Sequence, residues 1–163
     1  MRDLTAALAE ARAAAVVEVV DVDLGPGTRR AGPADADAVF ALTVELARTH
    51  TPERGAFDRW FPGLCARPES LVAVADDGGG VLGSLVAHVY PALHANGPLA
   101  WIEEVVVDPA ARRRGLGRRL LVAAERWAAA QGAASVSLAT GRAGDFYLAL
   151  GYPPAATYYR KAL

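Results

Sequence analysis

VVVDPAARRRGLGRRLL, residues 105–121, decides the fold of this chain. The three valines read as a strand without alternation, so the strand is covered on both faces and is central. Asp108 and Pro109 turn the chain, three arginines follow, and Gly115-Leu116-Gly117 leads into a helix. Leu116, Leu120, Ala124 and Trp127 recur on one helical face, and Gly132 supplies the stop. In α/β sheets, ligands bind beyond the carboxyl end of such a strand. The charge there is unusual. The positive end of a helix dipole normally attracts acids. Here Arg112, Arg113, Arg114, Arg118 and Arg119 surround it, and no acid stands in the first turn. Gly115 and Gly117 let the backbone come close to a bound group. The free amides of the loop and first turn then converge on one place, as a phosphate oxygen requires. An extended polyphosphate fits this better than a single carboxylate. An arginine run alone would suit a solvated turn; the Gly-x-Gly and helix behind it point to a site.

Outward from this stretch, strands and helices alternate. Upstream, LAWIEEVVV is the strand that ends in the valines, and PALHANGP before it is a loop. SLVAVA and VLGSLVAHVY form a hairpin across DDGGG. GPADADAVFALTVELART starts a helix at Pro33 and Asp35, and HTPERGAFDRWFPGLCARP holds a shorter one broken by Pro62. Residues 28–31 suit a short strand after the GPG turn at 25–27. Residues 16–24 suit another strand, and residues 3–15 an alanine-rich helix. Downstream, ASVSLAT is a strand, GDFYLALG a short helix closed by Gly151, and ATYYRKAL a final strand. The expectation is an α/β fold: one domain with a mixed, mostly antiparallel central sheet flanked by helices.

The chain has 163 residues, which suits one domain with a substantial core. No apolar run is long enough to cross a membrane, and the first residues lack a signal peptide's apolar core. Cys65 is the sole cysteine, which excludes an internal disulfide and fits a reducing, cytoplasmic setting. It is read as packing, with no base nearby. A net charge of −1 argues against nucleic acid as the main partner. His50, His88 and His94 have no mutual metal-ligand spacing, so no metal is expected. His88 lies in a strand and reads as structural; the other two lie in loops.

The loop is not a nucleotide P-loop, since no Gly-Lys-Ser/Thr ending is present, and the dinucleotide fingerprint needs a third glycine. IEEVVVDPAARRRGLG, LLVAAERWAAAQGAASVSLAT, FYLALGY and YYRKAL, in this order, resemble a GNAT-superfamily N-acetyltransferase. TRRAGPADADAVFAL resembles the start of such domains, so the resemblance covers residues 25–163 and leaves 1–24 as an N-terminal extension. The resemblance implies the GNAT fold, acetyl-CoA as cosubstrate, and a primary amine as acceptor. It implies that Arg112, Arg113, Arg114, Gly115, Leu116, Gly117, Arg118 and Arg119 hold the coenzyme pyrophosphate. Val105, Val106 and Val107 would bond the pantetheine arm like an added strand. Tyr147 would assist the leaving thiolate; on packing grounds alone it is a core tyrosine. WIEEVVVDP looks most like members acting on small amines, such as aminoalkylphosphonate or glucosamine-6-phosphate acetyltransferases, and by that likeness the acid before the valines is at the active centre.

That acid is Glu104, placed ahead of Glu103. Successive strand residues face opposite ways, so the two acids are expected on different faces, with at least one lining a cleft. A partly buried carboxylate has a raised pKa and can take a proton from an ammonium. TGRAGDFY, which ends on Tyr147, is shorter than the family's usual connection and lacks its Asn. The expected function is acetyl transfer to a small-molecule amine by direct attack. The alternatives are a non-catalytic acyl-CoA-binding module and a protein or peptide N-acetyltransferase. A membrane partner is not expected, and the family resemblance allows a homodimer through the final strands.

Overall fold

A computed structural model describes residues 21–47 and 50–162. Five strands form one sheet in sequence order: β1 (Thr28–Arg30), β2 (Ser70–Asp76), β3 (Val81–Tyr90), β4 (Leu99–Val107) and β5 (Ser135–Leu138). The first three junctions are antiparallel and β4–β5 is parallel. β2 is buried on both faces: Leu71, Ala73 and Ala75 point one way, Val72 and Val74 the other. That is why it reads as a continuous apolar run. Gly78 and Gly80, at φ 92° and 136°, turn β2 into β3.

One face is covered by helix α3 (Leu116–Ala130), numbered after α1 (Ala36–Leu46) and α2 (Arg54–Ala66). Leu116, Leu120, Ala124 and Trp127 are buried as their spacing predicts, against Leu71, Ala73, Leu85 and Ile102 of the sheet. Small residues (Ala123, Ala124, Ala128) let α3 approach closely. Gly132, at φ 72°, ends it: Ala133 N donates to Ala128 O at 2.9 Å and Gly132 N to Ala129 O at 2.9 Å, the Schellman pattern. The opposite face is covered by α1 and α2. Val39 and Phe61 pack there on Val72 and Val74, with Phe57 stacked on Phe61 at 4.8 Å.

Three expectations are corrected. Pro62 does not break α2, which runs through it. Asp58, whose carbonyl loses its helical donor, is exposed, so water can satisfy it, while Phe57 and Phe61 before the proline and Leu64 and Cys65 after it pack in the cluster on the sheet. The expected strand at ATYYRKAL does not form in its described part, which lies outside the sheet. Pro153 and Pro154 remove two ladder donors before it, and Tyr158 stacks on Trp101 instead (centroids 6.3 Å apart). Residues 21–24 of the strand expected over 16–24 are also outside the sheet: Val22 and Leu24 find apolar contacts in the α3 cluster. The rest of that segment and the helix expected over 3–15 lie outside the described residues.

Candidate active site

The site begins where two strands part. β4 and β5 pair from Leu99↔Ser135 to Ile102↔Leu138 and no further, while β4 stays paired with β3 as far as Val107. From Glu103 to Val107 one edge of β4 therefore has no strand partner among the described residues. The register of β3 and β4 shifts between Val86 and Ala87: Val86 faces Glu104, Ala87 faces Ile102, and Glu103 is the extra residue. Such a bulge bends the strand and increases its twist, which suits the parting from β5. The opening is a cavity of about 200 Å³, lined by Leu46, Glu103, Val105, residues 138–143 and Tyr147.

The bulge corrects the expected placement of the acids. Val86 belongs to the cluster under α1 and α2, so Glu104, directly opposite, points to that face. Glu103 accepts a hydrogen bond from Trp101 Nε1 at 2.8 Å, and Trp101 is opposite His88, two residues from Val86 on the same face. Both carboxylates are thus on one face, because the extra residue cancels the alternation. Glu103 is exposed and lines the cavity. Glu104 is half-buried; burial, and then the charge of Glu103, push its carboxyl above the usual range.

At the end of β4 lies the arginine loop. The amide of Arg119, bonded to Gly115 O at 3.0 Å, is the first of α3 with a helical acceptor, so the turn before it presents free amides. Gly115 caps the helix at φ 81°. Arg113 is at φ 61°, the only non-glycine residue in the left-handed region among those described, and its position costs about 1 kcal/mol. Strain of this kind concentrates at functional sites. A Cβ on Gly117 would stand 3.2 Å from the Phe146 ring, so glycine lets α4 (Gly144–Leu148) seat against the loop.

The arginines do not share one environment. Arg112 donates from Nε to Val107 O at 3.2 Å and from Nη2 to Glu45 Oε1 on α1 at 2.9 Å. Arg114 pairs with Asp77 of the β2–β3 turn, which holds that carboxyl below its usual range. Arg113 and Arg118 are exposed. Arg119 turns back toward the Gly25–Gly27 turn, where a Cβ on Gly27 would lie 2.6 Å from its Nη1. Sequence reasoning did not find Glu45 and Asp77. They lie 67 and 37 residues from their partners, and no local pattern announces them.

Tyr147 sits on α4 and reaches the cavity. In the connection before it, Thr140 Oγ1 accepts from the amides of Arg142 (3.3 Å) and Ala143 (3.1 Å), folding the turn on itself. Tyr152 N donates to Tyr147 O at 3.0 Å, and Tyr152 OH donates to Glu125 Oε1 on α3 at 2.6 Å, tying the end of α4 down. Burial raises the pKa of Tyr147. His88 Nδ1 lies 3.0 Å from Ser70 Oγ, in keeping with a structural role, while His50 and His94 are exposed. Burial pushes the Cys65 thiol up. Among the described residues no group of three or more His, Cys, Asp or Glu side chains could hold a metal. No helix among them is long and apolar enough to cross a membrane.

The family model described as "Acetyltransferase (GNAT) family" matches residues 38–152. An aminoalkylphosphonate N-acetyltransferase of Salmonella typhimurium is 32% identical over 139 residues, covering 83% of this chain and 90% of the relative. An aminoglycoside N(6')-acetyltransferase type 1 of Klebsiella aerogenes is 30% identical over 155 residues, covering 87% and 100%. Among solved structures, glucosamine-6-phosphate N-acetyltransferase from Arabidopsis thaliana superposes with a TM-score of 0.73 over 83% of this chain and 96% of that one, at 21% identity, a likeness of fold.

Proposed function

This chain belongs to the acetyltransferase (GNAT) family and is an acetyl-CoA-dependent N-acetyltransferase; we propose that it acetylates a primary amine of a small molecule by direct attack in the β4–β5 opening. The observation that carries this reading is the free edge of β4 from Glu103 to Val107, with the amide-rich arginine loop at one end and Tyr147 across the cavity.

Residues 112–119 hold the pyrophosphate, mainly through amides at the helix N-terminus. Arg112 and Arg114 exchange Glu45 and Asp77 for phosphate oxygens. The backbone of Val105, Val106 and Val107 bonds the pantetheine arm as a strand would. Glu103, at the cavity wall, holds the ammonium. Glu104, whose burial raises its affinity for a proton, takes that proton directly or through water. The freed amine nitrogen bonds to the thioester carbon, and the carbon–sulfur bond breaks. A backbone amide on the open edge of β4 meets the oxyanion. Tyr147 gives its proton to the departing thiolate; its raised pKa keeps it protonated at neutral pH.

Isothermal titration with acetyl-CoA and with coenzyme A tests the site. We expect micromolar binding of both, weakened by an Arg114→Ala, Gly115→Ala double variant, and thiol release on adding amines. Unchanged affinity in the variant would remove the phosphate from this loop.

A further inference from the structure

The face that carries Glu103 continues past the catalytic acids. The apolar cluster under α1 and α2 takes in Val81 and Val86 of β3 and stops there. Beyond it, His88 and Tyr90 follow on the same face, opposite Trp101 and Leu99 of β4. Tyr90 is 43% exposed and Trp101 is partly exposed, and no helix among the described residues closes this part of the sheet. Trp101 is held on two sides. Its Nε1 donates to Glu103 Oε2 at 2.8 Å, and its ring stacks on Tyr158 at 6.3 Å with planes 25° apart. An aromatic wall thus stands two strand positions from the acid that lines the reaction cavity. Neither β3 nor β4 carries a lysine or arginine. The one cation lining the cavity among the described residues is Arg142, after β5.

We propose that Trp101 and Tyr158 select the acceptor: an amine whose ammonium is joined by a short linker to a flat apolar group. This rests on the reading of the cavity as the acetyl-transfer site. The ammonium takes Glu103, and the flat group lies against the indole or the exposed Tyr158 ring, where stacking and cation–π attraction both act. The same acids and the absence of a cation on β3 and β4 disfavour an amine with a second, anionic group. Trp101 is also a positioning residue, because its N–H fixes the rotamer of Glu103.

The test is titration of coenzyme A-loaded protein with 2-phenylethylamine, n-propylamine and 2-aminoethylphosphonate. We expect 2-phenylethylamine to bind at least about tenfold more tightly than either, the scale of one aromatic contact. Trp101→Leu and Tyr158→Ala should each erase most of that advantage. Trp101→Phe keeps a ring but frees Glu103; it should lower kcat while keeping most of the preference for 2-phenylethylamine over n-propylamine, which loss of folding would not do. Equal affinity for the three amines, or an advantage that survives both Trp101→Leu and Tyr158→Ala, overturns the proposal. Coenzyme A is titrated first and alone. Failure of that arm strikes the transfer reading, and the amines are then compared on the free protein, where the same ranking is expected and its absence counts equally against the aromatic wall.

Discussion

Burial raises the pKa of Tyr147 and of Glu104, the two side chains proposed to move protons. Tyr147 lines the cavity. Replacing it by Phe removes one oxygen and little packing. We expect kcat to fall about 100-fold, the low end of general acid catalysis, with acetyl-CoA affinity unchanged by titration; equal kcat would make Tyr147 a packing residue. Glu104 carries a sharper signature. Its folded pKa is raised, first by burial and then by Glu103. Activity should therefore be lost, as pH falls, at a higher pH than a free carboxylate would give. The same shift acts on stability with a fixed sign. Below the unfolded pKa the protonated side chain is at home in the fold; as pH rises through the folded pKa, that contribution is lost. Glu104→Gln should slow turnover and yet melt no lower than wild type at pH 8. A lower melting temperature there would contradict the burial argument.

At the scale of elements, the legible ones were those whose pattern is set locally. The face of α3 followed from a 3.6-residue period, and its end from Gly132. What sequence could not give depends on partners. The bulge at Glu103 exists only relative to β3, so the alternation rule sent the two acids to opposite faces when they share one. The tail after Gly151 has strand composition but no ladder, because Pro153 and Pro154 intervene and Trp101 offers its ring. In α2 the breaker rule failed for a third reason: tertiary packing through Phe57 and Phe61 outweighs the loss at Pro62. That makes a prediction. Pro62→Ala restores the donor to Asp58 and removes the ring clash. The gain of about 3 kcal/mol expected for an ideal helix is reduced by up to about 1 kcal/mol through the looser unfolded chain. Urea unfolding should show a net gain of about 2 kcal/mol with an unchanged m-value, and a loss would mean that the helix has accommodated its proline without cost.

Over the whole molecule, the sheet divides the labour between its faces. The α3 face carries the larger core cluster, of which Ile102, Val105, Leu138 and Tyr147 reach the cavity, whereas the other is core under α1 and α2 and meets the cavity through Leu46 and Glu103. The open face depends on α1 being held, since Glu45 and Leu46 at its end meet Arg112 and the cavity. What holds the start of α1 is Asp35. Its side chain is 8% exposed and accepts from Arg29 Nη1 and Nη2 on β1, both at 2.7 Å, and from Gly32 N at 2.8 Å. The Arg29 hydrogen bonds are the main reason its pKa is depressed. For a depressed carboxylate, the stabilisation is present above the unfolded pKa and is lost as pH falls through the folded one. Asp35→Asn keeps the shape and removes the charge. We expect it to cost about 2 kcal/mol at pH 7, the scale of charged hydrogen bonds. Wild-type and variant stabilities should converge as pH falls past the folded pKa. The same variant should weaken amine binding in a titration of the coenzyme A-loaded protein, because Leu46 at the other end of α1 lines the cavity. A pH-independent gap between the two stability curves would show that the contribution of Asp35 is steric rather than electrostatic.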